Sequence, residues 1–370
     1  MTGFATVVGT AKFSERFKNA GKGHFRFAQG LKLSSIGIGT YLGNWDDETD
    51  EAYTNSIVRF VELGGNVIDT AINYRFQRSE RSIGRALKVL FEKGFQREEI
   101  FVATKAGYLP FDGEPAWNVE KYFEENFVKR GLASFEDLAD RSHCIRPEYL
   151  QSQIDKSLEN LGLETIDLFY IHNPESQLHS VDRETFEKRL LRAFELLERN
   201  RQDGKIKFYG VATWNGFRTA PEKKFYHSLE QFYNLAKQVG GETNGFKFVQ
   251  LPYNFSMLEA YFYKNQPLGE KRLTVLEAAK ELGITVMCSA SLLQGSLINH
   301  IPDEIRKLLG DGLTDAAVAI QFVRSTPGVT TALVGMSQIK HVEENMSLVS
   351  FDVVEEDSFE RIFNLASSEL

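Results

Sequence analysis

Short apolar runs rich in β-branched residues recur along the chain, and each is followed by a longer stretch in which the apolar residues have helical spacing. This alternation is typical of parallel strands joined by crossover helices. Eight runs are predicted to be strands, which is the number that closes a (β/α)8 TIM barrel, an α/β fold. The predicted strands are residues 35–40, 66–70, 100–105, 166–172, 206–213, 246–251, 284–289 and 331–335.

Three of the intervening stretches predict amphipathic helices that cover the barrel, at residues 79–94, 146–162 and from 314 to just before Pro327. In the second stretch, Pro147 suits the first helical turn and Gly162 is a suitable end. Each helix is therefore expected to turn one face to the strands and the other to solvent.

Both ends of the chain add an element to this barrel. Residues 24–37 are typical of a β-hairpin with its turn near Gln29 and Gly30, placed to close the bottom of the barrel. A last helix is predicted over residues 355–368. Basic residues and phenylalanines at positions 12–26 faintly resemble a transit peptide, but we interpret this segment as part of the fold.

One domain is predicted over residues 1–370, with an insertion at about 107–145 after the third strand. Two interpretations of this insertion stay open. In the first, its aromatic side chains cover the substrate, because active sites of such barrels form at the carboxyl ends of the strands. In the second, these side chains make a small core of their own. The aromatic residues are Phe111, Trp117, Tyr122, Phe123, Phe127 and Phe135.

Composition and charge argue against several classes of protein. Of 370 residues, 42% are hydrophobic and 25% charged, and the formal net charge of −8 argues against a nucleic-acid-binding surface. Two cysteines cannot make a disulfide framework, so a reducing compartment and a cytoplasmic location are expected. No apolar run reaches the ~18 residues of a membrane span. The oligomeric state stays open.

Metal and thiol chemistry are not indicated. Cys144 follows His143, but no acid that would orient the histidine can be assigned. The histidines below lack the paired spacing of metal ligands, so no metal is predicted. They are His24, His143, His179, His227 and His300.

Four polar residues of different types stand at or just after three consecutive strand ends. Asp69 ends the second strand and Tyr74 follows it, Lys105 ends the third strand, and His172 ends the fourth. A barrel places consecutive strand ends side by side, so these side chains are expected to share one pocket. Each has an ordinary structural explanation when taken alone. Their joint placement predicts a proton-transfer site.

The chemistry of such a group is specific. A phenol has a pKa of about 10, and a neighbouring ammonium group lowers it by roughly 1 to 3 units. We therefore expect Lys105 to lower the pKa of Tyr74 and Asp69 to hold Lys105 in place, while His172 orients a carbonyl oxygen.

Glycines at 37, 39 and 43 approximate a dinucleotide-binding fingerprint, but a polar loop follows them instead of a helix. Gly39 and Thr40 are better explained as the end of a barrel strand that lies close to a ligand.

Seven motifs in order over residues 27–348 resemble those of the NAD(P)-dependent aldo-keto reductases. They are GGNVIDTAINY, SERSIGRAL, VATK, IDLFYIHNP, GKIKFYGVATW, VQLPYN and GMSQIKHVEEN. The resemblance implies that Tyr74 is the proton donor, that Lys105 and Asp69 tune it, and that His172 orients the substrate during hydride transfer.

The resemblance also implies positions for the nicotinamide end of the cofactor. Gln250 matches the residue that holds the carboxamide, and Thr213 stands where the family usually has an asparagine. Cys288, followed by Ser289, stands where an aromatic ring commonly stacks on the nicotinamide.

At the adenosine end, Gly335 and Ser337 match the phosphate site, and Glu344 and Asn345 match the adenine side. His341 replaces the usual Arg or Gln, so NADP(H) is favoured over NAD(H) only slightly.

The sequence therefore predicts an oxidoreductase that transfers a hydride between nicotinamide and an aldehyde, a ketone or the corresponding alcohol. Its partner is a small molecule. The alternative is a regulatory or redox-sensing barrel that binds the cofactor with little turnover, which the changes at Thr213 and Cys288 would suit.

Overall fold

The computed structural model describes residues 1–296, 301 and 303–366. His300 and the last two positions of the predicted C-terminal helix, 367 and 368, lie outside these residues. The strands are β1 Phe25–Ala28, β2 Leu31–Ser34, β3 Ile36–Gly39, β4 Val67–Asp69, β5 Phe101–Ala106, β6 Ile166–His172, β7 Ile206–Ala212, β8 Phe246–Pro252, β9 Gln266–Leu268, β10 Lys271–Leu273, β11 Thr285–Ser289 and β12 Val329–Gly335.

The helices alternate with these strands. They are α1 Val7–Arg16, α2 Asp47–Glu62, α3 Arg78–Glu92, α4 Val119–Phe123, α5 Pro147–Leu161, α6 Arg183–Gln202, α7 Leu229–Gly240, α8 Glu259–Phe262, α9 Val275–Leu282, α10 Asp303–Leu309, α11 Asp315–Ser325, α12 Ile339–Met346 and α13 Glu356–Ala366. Short 3-10 turns include Phe135–Asp137 and Pro174–His179, and a π-helical turn covers Glu124–Val128.

Eight parallel strands close into a barrel in the order β11, β12, β3, β4, β5, β6, β7, β8. Each of them coincides with one of the eight predicted runs, so the predicted (β/α)8 barrel is confirmed. Because all eight strands are parallel, their carboxyl ends meet at one opening, which we call the mouth.

The predicted hairpin is also confirmed. Strands β1 and β2 pair antiparallel, and Gln29 and Gly30 form the turn with φ of 51° and 81°. Leu31 and Leu33 are buried together with residues of the barrel interior such as Phe101. The hairpin therefore closes the barrel at the end opposite the mouth.

The local signals for the cover helices are mostly confirmed. Helix α5 begins with Pro147, and Gly162 ends it in the left-handed conformation with φ of 65°. The expectation of an exposed face is wrong for α11, in which every residue from 316 to 325 is buried. Helices α10 and α12 pack against it, so it lies under other elements.

The insertion folds on itself beside α5. Phe123 and Phe127 are buried with their rings 5.7 Å apart, and Phe127 lies 4.9 Å from Tyr149 of α5. These residues form a small core. Phe111 contacts Tyr122 of the insertion, with 4.9 Å between ring centroids, and also packs toward Phe76 outside it, at 6.2 Å. None of the helices in the described part of the chain is long and apolar enough to cross a membrane.

Candidate active site

A buried ion pair lies at the mouth, where β4 and β5 end side by side. The Lys105 ammonium donates to Asp69 Oδ2 at 2.6 Å and to the carbonyl oxygen of Thr70 at 2.7 Å. The other carboxylate oxygen of Asp69 accepts from Nε2 of Gln250 on β8 at 2.8 Å. Asp69 is thus held from two sides, and Lys105 has a fixed position.

Tyr74 and His172 complete the predicted group of four. The Lys105 Nζ lies 5.1 Å from the centroid of the Tyr74 ring, and the rings of Tyr74 and His172 are 5.7 Å apart, edge to face. Tyr41 packs on the other side of Tyr74, at 4.9 Å. The structure therefore brings all four residues together at the mouth.

The protonation states differ in part from the sequence-based expectation. Burial raises the pKa of the Tyr74 phenol well above 10, and Asp69 adds to this effect, so the expected lowering by Lys105 is not found. Burial also lowers the pKa of Lys105, against the opposing effect of Asp69. Tyr74 consequently keeps its proton at neutral pH.

His172 is neutral for the same physical reason. Burial, followed by the positive charge of Lys105, lowers its pKa well below the ordinary value of 6.5. Its Nδ1 atom is buried and has no hydrogen-bond partner among the described residues. A neutral imidazole at this place can donate one N–H to a ligand oxygen.

The resemblance implies that Thr213 and Gln250 contact the nicotinamide carboxamide. Both side chains already form hydrogen bonds with other protein groups. The Thr213 hydroxyl donates to Glu175 Oε1 at 2.8 Å, and the amide nitrogen of Gln250 donates to Asp69. The same Glu175 oxygen accepts the backbone N–H groups of Trp214 and Asn215, each at 2.9 Å. Glu175 therefore fixes the turn that follows β7.

The end of β11 corrects one sequence-based placement. The Cys288 side chain is fully buried among the hydrophobic residues between strands and helices, whereas Met287 belongs to the barrel interior. Side chains alternate along a strand, so Ser289 is on the same side as Met287. The structure does not bring the Cys288 side chain to the mouth.

Gly39 and Gly335 lie where β3 and β12 end, next to the strand that carries Asp69. They are paired across β3 and β12, and a Cβ atom added to Gly335 would meet nothing within 4 Å. Thr40, in contrast, is fully buried, and its hydroxyl donates to Thr70 Oγ1 at 2.8 Å. The open space at Gly335 can therefore hold a ligand, whereas the Thr40 side chain faces the protein.

The start of α12 continues this opening. Gln338 caps the helix without a side-chain hydrogen bond, so its first N–H groups remain available to an anion. His341 is exposed, and Ser337 and Glu344 are half-buried. The buried Asn345 Oδ1 accepts no hydrogen bond from the part of the chain that the structure describes. Free helix N–H groups at the edge of the opening fit the phosphate of a nucleotide, so the residues present suit a dinucleotide cofactor.

Several residues around the site were not singled out from the sequence. Tyr41 contacts Tyr74, Glu175 fixes the turn after β7, and His143 contacts the backbone of His172. The position of Glu175, three residues after a strand end, was a usable signal. The sequence contains no such signal for His143, because its hydrogen-bond partner is a backbone carbonyl 29 residues away.

Comparison with known proteins agrees with this geometry. The model of the aldo/keto reductase family matches residues 35–366. A Schizosaccharomyces pombe protein named as a candidate beta subunit of a voltage-gated potassium channel is 25% identical over 361 residues, covering 88% of each chain. L-galactose dehydrogenase of Arabidopsis thaliana is 25% identical over 339 residues, covering 87% of this chain and 86% of its own.

Among solved structures, an aldo/keto reductase from Klebsiella pneumoniae in complex with NADP and acetate has the same fold. Its TM-score is 0.62 at 18% identity, and the match covers 93% of this chain and 95% of that one. The family match extends over most of the chain, and the barrel and its mouth are in agreement with it. The chain therefore belongs to the aldo/keto reductase family of oxidoreductases.

Proposed function

We propose that the protein is an NAD(P)(H)-dependent reductase of aldehydes or ketones, which also oxidises the corresponding alcohols. The observation that carries the proposal is the group of Asp69, Tyr74, Lys105 and His172 at the mouth of the barrel. A bound nicotinamide cofactor supplies the hydride during reduction. The protein supplies a proton, an orientation and an electrostatic environment.

Tyr74 donates that proton to the carbonyl oxygen. Burial raises its pKa, so the phenol carries its proton at neutral pH but is a weak acid until a positive charge stabilises the phenolate. The positive charge of Lys105, 5.1 Å from the ring centroid, stabilises the phenolate that forms. Asp69 holds Lys105 in the position that this requires.

His172 orients the carbonyl group. As a neutral imidazole it donates an N–H to the carbonyl oxygen without competing for the proton of Tyr74. The wall around both groups is aromatic: Tyr41 packs on Tyr74, and Tyr108 lies 5.2 Å from His172. We infer that the substrate is a small carbonyl compound or alcohol that buries an apolar part against these rings.

The cofactor is proposed to extend from the mouth to α12. Gln250 and Ser289 are proposed to lie at its nicotinamide end, and Thr213 to contribute through its backbone because its hydroxyl is occupied. Gly335 leaves space for the middle of the cofactor, next to its strand neighbour Gly39, and the other residues hold the adenosine end. These residues are Ser337, His341, Glu344 and Asn345.

NADP(H) remains slightly favoured over NAD(H). Lys340 and His341 are both exposed in the first turn of α12, where a 2′-phosphate would find positive charge and free N–H groups. The NADP bound to the Klebsiella protein is in keeping with this preference.

A second candidate is a regulatory barrel that binds the cofactor with little turnover. Two observations favour it: the occupied Thr213 hydroxyl and the outward Cys288 weaken the usual nicotinamide contacts. The Schizosaccharomyces pombe relative is named as a channel subunit and not as an enzyme.

The test is oxidation of NADPH and, separately, NADH with a reactive aromatic aldehyde, followed by the loss of reduced-nicotinamide absorbance. Tyr74→Phe should lower kcat by about 10²- to 10⁴-fold and leave cofactor binding unchanged, because only the acidic proton is removed. Tyr122→Phe is the control, since its hydroxyl donates to the Pro110 carbonyl inside the insertion. Equal rates for Tyr74→Phe and the wild type would contradict the assigned mechanism. Tight cofactor binding without turnover would favour the regulatory barrel.

A further inference from the structure

We propose that His143, in the insertion, is a positioning residue that fixes the backbone of His172 and thereby the direction of its imidazole. The inference rests on the proposed function, in which His172 orients the carbonyl group. It assigns to the insertion a part in the active site that its small core alone does not explain.

The hydrogen bonds of His143 define its orientation and its tautomer. Arg189 donates to Oε1 of Gln177 at 2.7 Å, so the amide nitrogen of Gln177 faces Nδ1 of His143, at 2.9 Å. Nδ1 therefore accepts, and Nε2 carries the proton. That N–H donates to the backbone oxygen of His172 at 2.7 Å.

The backbone on the other side of this contact leaves space for nothing larger than glycine. Gly107, the first residue after β5, has φ of 151°, and an added Cβ would lie 2.5 Å from His143 Nε2 and 2.9 Å from the His172 oxygen. Gly107 thus packs directly against the His143 ring and the His172 carbonyl oxygen. The Gly107 oxygen also accepts the N–H of Cys144 at 2.8 Å, which anchors the end of the insertion there.

Tyr108 links the two imidazoles directly. Its ring lies 5.0 Å from the His143 ring and 5.2 Å from the His172 ring, edge to face in both cases. Its hydroxyl is within hydrogen-bond distance of Ser176, at 2.9 Å, and accepts from Asn173 at 3.2 Å. The ring is therefore held rigidly against His172.

These contacts matter because no group in the described part of the chain forms a hydrogen bond with Nδ1 of the His172 imidazole. Its direction is set by the backbone that carries it and by the rings of Tyr74 and Tyr108. A backbone shift at His172 would move its N–H away from the carbonyl oxygen, and a misplacement of about 1 Å costs up to 10²-fold in rate.

The experiment compares His143→Leu, which removes the donor, with His143→Gln, whose amide nitrogen can replace Nε2. The matched control is His24→Leu, because His24 is also fully buried and hydrogen-bonded, to the Gly64 oxygen at 3.0 Å, but lies at the closed end of the barrel. We measure kcat, KM, the cofactor Kd by fluorescence, thermal stability and the NMR resonances of the His172 ring, assigned from His172→Asn.

We expect His143→Leu to lower kcat about tenfold with an unchanged cofactor Kd and to shift the His172 resonances. His143→Gln should recover most of the rate. His24→Leu should lose stability alone. If His143→Leu behaves as His24→Leu does, with kcat and the His172 resonances unchanged, the proposal is overturned.

The resonances also separate this inference from the proposed function. If the wild type shows no turnover, the proposed function fails, and a shift of the His172 resonances in His143→Leu still supports the positioning role. If His143→Leu does not fold, His143→Asn replaces it, because the amide of asparagine is too short to reach the His172 oxygen that Nε2 contacts. Unmoved His172 resonances in that variant overturn the proposal.

Discussion

At the scale of single residues, the turn after Tyr74 is unusual. Arg75, Phe76 and Gln77 are consecutive residues with φ of 47°, 57° and 69°, in the left-handed region. Each such residue other than glycine costs about 1–2 kcal/mol. Side chains hold the turn from both sides: Arg75 donates to Asp50 at 2.5 Å, and Gln77 donates to the Pro110 oxygen at 3.0 Å. The strain is thus offset by contacts that also keep Tyr74 in place.

The strained turn predicts that replacing Arg75 by glycine destabilises the protein less than replacing it by alanine. Arg75→Ala removes the buried ion pair with Asp50 and keeps the backbone strain, so it should destabilise the protein by about 2 kcal/mol. Arg75→Gly removes the same pair but relieves the strain, and should be about 1 kcal/mol more stable than Arg75→Ala. Urea unfolding of both variants measures the difference. An alanine variant as stable as the glycine variant would show that the turn is not strained.

The residues of the site differ in how far the sequence could predict them. Asp69, Lys105 and His172 follow from strand ends, because a closed parallel barrel brings such ends together. Strand alternation alone predicts that the Cys288 side chain points away from the barrel interior, whereas the resemblance implies the opposite direction. The sequence could not predict the raised pKa of Tyr74. The effect of burial on this pKa exceeds that of the Lys105 charge, and burial depends on how the chain packs. His143 acts on a backbone group, which leaves no pattern in the side chains, whereas Glu175 stands close after a strand end and could have been found.

At the scale of elements, periodicity predicted the eight strands and the hairpin because each lies in a regular layer. It could not predict that α11 is covered on all sides, since that depends on where α10 and α12 pack. The two interpretations of the insertion could not be separated either. Phe123 is buried inside the small core, whereas Phe111 lies at its edge and contacts both Tyr122 and Phe76. Sequence spacing does not distinguish the two environments.

The hairpin gives a prediction at this scale. Leu33 on β2 is fully buried inside the closed end of the barrel, whereas Phe27 on β1 is 76% exposed. Leu33→Ala should therefore lower the free energy of unfolding by about 2–5 kcal/mol, because it leaves a cavity. Phe27→Ala should change it by about 0.5 kcal/mol or less. Thermal unfolding of the two variants side by side tests whether the hairpin seals the barrel, and equal losses would show that it does not.

At the scale of the whole molecule, buried neutral histidines couple folding to pH. Burial lowers the pKa of His24 and of His143 to about 4, and it lowers the pKa of His172 and His227 as well. In the unfolded chain each would titrate near 6.5. Between these values the unfolded chain binds protons that the folded chain does not, so acidification favours unfolding.

The free energy of unfolding should accordingly be highest above pH 6.5 and fall as the pH is lowered toward 4. His24 and His143 each contribute a loss of roughly 3 kcal/mol over this interval, at about 1.4 kcal/mol per pH unit. Glu80 and Asp167, whose pKa values burial raises, oppose part of it. Urea titrations at several pH values measure the slope, and His24→Gln should reduce it by the share of one histidine, since glutamine does not titrate. A slope that is unchanged in His24→Gln would mean that His24 does not enter the folded core in its neutral form.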